Sequence, residues 1–398
     1  MKKLIGTAML AALLATSAFA EVSMGAFVRT MVAPIAFDGE DVKAYWGNSW
    51  GGIRNARISV NWTSDDEKVG MLYDIFGDGS SDFGAGDYRA IWFKPADWVK
   101  FMVGRIDNGY TMRSDLAYGS WNWIRPSTLG YDEGLTFALE NRDGLQVELF
   151  PVEGLQILAH LALPANGGDV DIWRAVGKSQ AAVGYTIGDI GTVKVGFIGR
   201  NISDAYYDNV NTKEDLKDNK FGIEATNTDI VTLKKKYYSA KVNTYGTLEA
   251  AFDLTAIENM FLTVGAKATF GYGGTKTTVT PAVGLRLGLS DTLTLYVSAL
   301  AEITESKDPT IKGGVGLDVG LTDSLALNVD CRIVDDIENA DFTLSFLVGV
   351  NYAVSSNGNL GIGFQGIASA SNAGAALGMG VQNEKFGFAV PIMFQIAF

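Results

Sequence analysis

From Phe386 to the C-terminal Phe398 the chain alternates without a fault. Phe386, Phe388, Val390, Ile392, Phe394, Ile396 and Phe398 hold one parity; Lys385, Gly387, Ala389, Pro391, Met393, Gln395 and Ala397 hold the other. A period of two sends the two sets to opposite faces of a pleated strand. The bulky face has to meet something apolar, whereas the small and polar face does not. The other end of the chain limits where such a strand can work. Lys2 and Lys3 precede an apolar stretch from Leu4 to Thr16, and Ala18-Phe19-Ala20 has the small-x-small form of a cleavage site. That stretch is shorter than the roughly 20 residues needed to span a bilayer. Residues 1–20 therefore read as a cleaved signal peptide, with Glu21 as the expected mature start. An exported chain that ends on an amphipathic strand points to a β-barrel of the cell outer membrane.

The same period recurs upstream. Phe342, Leu344, Phe346, Val348, Val350 and Tyr352 share one parity against Thr343, Ser345, Gly349 and Asn351. Leu325 to Ile333, Leu293 to Ala301, Val279 to Leu287 and Met260 to Phe270 repeat it. Short turns separate these segments. Gly288-Leu-Ser-Asp-Thr-Leu-Thr-Leu295 returns as Gly320-Leu-Thr-Asp-Ser-Leu-Ala-Leu327, and Glu258, Asp291 and Asp323 fall 33 and 32 residues apart. Ser64-Asp65-Asp66, Pro95-Ala96-Asp97, Pro151 to Gly154, Gly188 to Gly191 and Ser355 to Gly358 bring the series to eight. With both termini on the short-turn side, eight turns require nine hairpins. The expected fold class is thus all-β, a transmembrane antiparallel up-and-down β-barrel of about 18 strands. Sixteen is the alternative, because Asn141-Arg-Asp-Gly144 reads either as a hairpin turn or as a bulged point in a long strand.

Composition agrees with this architecture. Hydrophobic residues make up 47% of the chain and mean hydropathy is +0.12, yet no run of 18 apolar residues follows the signal. Apolar residues at alternate positions let a chain be secreted and still present an apolar surface once folded. No composition shift divides residues 21–398, so they are read as a single barrel domain. The net charge of -13 disfavours nucleic acid as a partner. Cys331 is the only cysteine, which excludes an intramolecular disulfide and a cysteine-based zinc site, and no cofactor or metal is expected.

The remaining motifs carry little chemistry. His160, the only histidine, falls on the polar side of Leu155 to Leu163 with Gln156, and no G-x-S-x-G pattern accompanies it. The chain is therefore not read as an enzyme. Gly361-Ile-Gly-Phe-Gln-Gly366 matches G-x-G-x-x-G, but Leu360, Ile362 and Phe364 alternate through it as in a strand, not a nucleotide loop. Asp74 to Asp87 reads as an acidic, glycine-rich loop, and Cys331 is expected to face lipid between Val329 and Ile333. Asn201 to Lys236 and Asp107 to Asp132 read as long loops on the side opposite the short turns.

On these features the chain resembles the porins of Gram-negative outer membranes: a cleaved signal, alternating strands, short turns opposite long loops and a terminal Phe398. The resemblance implies that Phe394, Ile396 and Phe398 are read by the barrel-assembly machinery. It implies a third long loop folded into the lumen, carrying Arg113, Asp115, Trp121, Trp123, Arg125, Asp132 and Glu133 as pore or constriction candidates. Arg29, Arg57, Lys267, Arg286 and Arg332 are the corresponding wall cations. It also implies outer-membrane lipid as the surroundings, and homotrimers as the family habit. Independently of the family, an 18-strand barrel is too wide for side chains to fill, and polar inward positions imply water inside. Alternation already begins at Val22, just after the expected cleavage site, so no plug is expected before the barrel. The expected function is a porin, a diffusion channel for small hydrophilic solutes and ion transport. Its rival is a closed barrel serving as a surface protein or adhesin through its extracellular loops.

Overall fold

The structure, a computed structural model of the 398-residue chain, describes residues 20–37, 39–46, 56–77, 83–106, 142–163, 172–201, 244–270, 276–369 and 386–398. The first strands are β1 (Ala20–Phe37), β2 (Val42–Trp46), β3 (Ala56–Ser64), β4 (Val69–Gly77), β5 (Phe83–Ala96), β6 (Val99–Ile106), β7 (Arg142–Leu149) and β8 (Leu155–Ala162). A short helix, α1 (Ile172–Gly177), precedes β9 (Gln180–Ile187), β10 (Gly191–Asn201), β11 (Thr244–Leu254), β12 (Met260–Thr269), β13 (Thr278–Ser290) and β14 (Leu293–Thr304). The last are β15 (Thr310–Gly320), β16 (Leu325–Asp336), β17 (Asp341–Ser355), β18 (Gly358–Ser369), β19 (Phe386–Ala389) and β20 (Ile392–Ala397). From β3 to β18 each strand pairs antiparallel with the next, and β20 pairs with both β18 and β1, closing the sheet into a barrel.

The strand count corrects the expectation: the described chain has 20 strands, not about 18 and not 16. Two interruptions account for the excess. β1 pairs with β3 through Ala20–Val28 and with β2 through Val32–Phe37, so two strands in succession lie along one side of it. β19 and β20 likewise follow one another between β18 and β1. Between β19 and β20 the apolar alternation of the sequence runs on through Val390 and Ile392, whereas the hydrogen-bond ladder is interrupted there. All eight short turns lie between consecutive strands, from β3–β4 to β17–β18. At the first of them the Asp66 carboxylate accepts from Ser64 Oγ at 2.7 Å and from the Lys68 amide at 3.2 Å. The Ser64 hydrogen bond, then that of Lys68, holds the Asp66 acid below the usual carboxylate range. Arg142, Asp143 and Gly144 lie inside β7, in register with Ile106, Arg105 and Gly104, so no hairpin turn forms there.

The closing seam is bulged. Val32 pairs with Ile392, but the next paired residues are Ala36 and Ala389, leaving three β1 residues against Val390 and Pro391. The register of β1 with β2 shifts at the same point, between Ala33 and Ala36. Two prolines, Pro34 and Pro391, therefore both fall in this unpaired stretch, where neither can donate to the ladder. The remaining groups are used: the Val390 amide donates to Ile35 O at 2.9 Å and Pro391 O accepts from the Gly363 amide at 3.0 Å. An outward chain of rings crosses the gap, Phe346–Phe364–Phe388–Phe37, with centroids 5.8, 5.5 and 5.9 Å apart. At the end of the chain the Phe398 amide donates to Ala26 O at 2.8 Å and Phe398 O accepts from the Ala26 amide at 2.7 Å.

Gly104 is the tightest point of the β5–β6–β7 wall. Its φ is +129°, and a Cβ there would stand 2.0 Å from Arg89 O. Gly104→Ala is expected to cost at least about 1–3 kcal/mol in backbone strain alone. The drop should appear as a lower midpoint in urea unfolding of the detergent-folded protein.

Candidate functional site in the barrel lumen

Strand parity divides the wall. Outward positions carry exposed apolar side chains such as Met24, Val183, Val264, Val315, Val348 and Phe364. Inward positions carry charge, and the charges are paired across neighbouring strands. Arg57 on β3 meets Asp74 on β4 at 2.5 Å, and Lys100 on β6 meets Glu148 on β7 at 3.5 Å. Lys194 on β10 meets Asp253 on β11 at 2.6 Å, and Lys312 on β15 meets Glu302 on β14 at 2.7 Å. Arg332 binds Asp330, two residues earlier on β16, through Nε at 2.7 Å and Nη2 at 3.1 Å. Thr263 Oγ1 adds a second donor to Asp253 at 2.7 Å. These five inward cations are each paired with a carboxylate of the wall.

Several inward polar groups are packed against one another rather than standing free. Gln146 Nε2 donates to Glu148 Oε1 at 2.7 Å, and Gln146 Oε1 lies 3.3 Å from His160 Nδ1. Gln146, Glu148 and His160 are all buried. The neighbour of His160 Nδ1 is an amide, not the carboxylate that would orient a catalytic base. Expecting water against every inward polar group is therefore too simple: the inner face of a closed sheet is concave, and its side chains converge. Other stretches are open. Arg286 is exposed, with its guanidinium 5.9 Å from the Phe261 ring. Beside it Tyr296 donates to Asp318 Oδ2 at 3.1 Å. Inward glycines at 314, 316, 349, 361 and 363 keep the β15–β18 side free of bulk.

Of the wall cations read from the sequence, Arg57, Lys267, Arg286 and Arg332 occupy inward positions on β3, β12, β13 and β16. They are spread round the barrel rather than gathered into one cluster. Arg29 pairs in register with Gln395 of β20. Arg113, Asp115, Trp121, Trp123, Arg125, Asp132 and Glu133 lie outside the described residues. Phe394, Ile396 and Phe398 are outward and exposed beside β1. Asp74 is corrected from a loop residue to a buried inward residue of β4, and β5 already begins at Phe83; Asp78 and Asp82 lie outside the described residues. Gly361 to Gly366 lie inside β18, and Cys331 faces outward between Val329 and Ile333.

Sequence reasoning missed Lys100, Lys194, Lys312 and their carboxylate partners. The available signal was a charge at the polar parity of an alternating strand, such as Lys194 between Val193 and Val195. It also missed α1. The Arg142 guanidinium donates to the carbonyls of Lys178 and Gly199, tying the segment just after α1 to β10.

The described residues thus form a closed antiparallel barrel, apolar outside and lined with charge inside. Comparison with solved structures agrees at the level of the fold. The anion-selective porin from Comamonas acidovorans superposes with a TM-score of 0.52 at 12% identity, over 95% of this chain and 100% of that one. The outer membrane channel DcaP of Acinetobacter baumannii gives a TM-score of 0.50 at 12% identity, over 95% of this chain and 97% of that one. The protein thus shares the barrel fold of Gram-negative outer-membrane porins. No protein-family model matches the sequence, and no curated protein matches it.

Proposed function

We propose that this protein is an outer-membrane porin through which small hydrophilic solutes and ions diffuse passively. The observation that carries the reading is the parity of the wall. Lys194 stands inward between exposed outward Val193 and Val195, and Lys312 and Arg332 stand inward beside exposed outward Ile311 and Ile333 on β15 and β16. Charged residues inside and apolar residues outside suit a barrel with lipid around it and water within. The fold shared with solved porins supports the same conclusion. The proposal includes export by residues 1–20, assembly through the terminal strand, a constriction carrying Asp115, Trp121, Trp123 and their loop neighbours, and a homotrimeric state.

The test is conductance of the purified, detergent-folded protein in a planar bilayer. Discrete open-channel steps are expected at neutral pH in simple salt. A well-folded barrel that inserts without steps in repeated preparations would overturn the channel and leave a closed barrel acting through its loops.

A further inference from the structure

The outer wall carries one anomaly. Among the outward positions of β3 to β18 whose side chains are described, only Arg89, Arg105, Asp143 and Asp335 are charged. Three of these four adjoin: Arg89 is in register with Arg105, and Arg105 with Asp143. Arg89 Nη2 and Arg105 Nη1 each stand 3.5 Å from a different oxygen of the one carboxylate. The cluster keeps a net charge of +1, and both arginine side chains remain about a third exposed, at 33% each. Charges facing hydrocarbon are destabilising near the bilayer midplane and cheap only at its interfaces.

Two further features place this row at an interface. Tyr73, outward and 39% exposed, is in register with Arg89, and tyrosines gather where chains meet lipid headgroups. On the other flank the Asp143 carbonyl accepts from the amide of Leu163, one residue past the end of β8. β8 and β9 are only eight residues each, short of the roughly 9–11 of a full crossing. On the β6–β9 side the described wall is low and its long-loop edge lies beside Arg105 and Asp143, while the β4–β5 ladder continues past Arg89 to Gly77 and Phe83. Apolar Ile91, Val103 and Leu145 are exposed just below them, where acyl chains would lie.

We infer that Arg89 and Arg105 bind the phosphate of a lipid headgroup at the long-loop edge of the barrel. Two guanidinium forks against one carboxylate leave donors unused, and a phosphate oxygen cluster matches their planar, bidentate geometry. Asp143 holds both side chains in place and competes with the phosphate for them. The inference rests on the reading of the protein as a membrane barrel.

Native mass spectrometry of the detergent-folded protein tests it, with dioleoyl phosphatidylglycerol as the probe and dioleoylglycerol, which has the same tails and no phosphate, as the control. The wild type should retain the phospholipid at roughly tenfold or greater excess over Arg89→Gln/Arg105→Gln, the effect of two arginines at an anionic lipid. Retention of dioleoylglycerol should not differ. Asp143→Asn should raise phospholipid retention, and it carries the test if the double variant does not fold. Equal retention by the wild type and the double variant, or no rise in Asp143→Asn, overturns the inference. Loss of an oligomer in the double variant at unchanged lipid retention also overturns it, by making the row a contact between subunits. Circular dichroism separates these results from a failure of the membrane reading, which would show as a wild type with no stable β structure in detergent.

Discussion

Val348→Arg is expected to destabilise the folded barrel by about 2–4 kcal/mol, the range for an arginine on the lipid face near the midplane. Asn351→Arg, three residues further along the same strand, should cost much less. Val348 is central in β17, paired outward with Val329 on one side and Phe364 on the other, and 44% exposed. A guanidinium placed there has apolar neighbours on three strands and must stretch toward either interface to find water. Asn351 has the opposite parity, and its register partners are Ala326 and Gly361, so the lumen side has space for a longer side chain. Its Oδ1 also has no hydrogen-bond partner that a substitution would strand. The comparison is made by urea unfolding of both variants in phospholipid vesicles. Equal costs would refute the division of the wall into a lipid face and a lumen face.

That division was legible in the sequence because it depends on one strand at a time. Alternation over Phe342 to Tyr352 or Leu293 to Ala301 needs no partner to be recognised, and the turns at Asp291 and Asp323 announce themselves by their repeat. What the sequence hid depends on two strands at once. Lys194 and Asp253 are 59 residues apart, and only the register of β10 with β11 brings their side chains together. The interruptions beside β1 were obscure for the same reason. Pro391 announces a lost donor, but the bulge that absorbs it forms in the partner strand, around Pro34. Asp143 misled most. Embedded in Asn141-Arg-Asp-Gly144 it had the composition of a turn, whereas β6 holds it in the wall opposite Arg105.

Lys194→Met is expected to destabilise the barrel by about 3–5 kcal/mol, the cost of removing one partner of a buried ion pair. Asp253 is only 5% exposed, and its carboxylate accepts from Lys194 Nζ at 2.6 Å and from Thr263 Oγ1 at 2.7 Å. Without the ammonium, one hydroxyl donor remains beside a carboxylate that has little water. The destabilisation comes from the stranded charge rather than from a missing attraction. It follows that Lys194→Met combined with Asp253→Leu should recover most of the loss, since an apolar pair of similar volume replaces a buried ion pair at little or no net cost. The surroundings can accommodate the change, because Gly184 and Ala251 are the register partners of Lys194 on its two sides. A double-mutant cycle measured by urea unfolding in vesicles gives the coupling directly. If the single variant costs under about 1 kcal/mol, as for an exposed pair, lumen water solvates the two charges and their ion pair contributes nothing to holding the wall together.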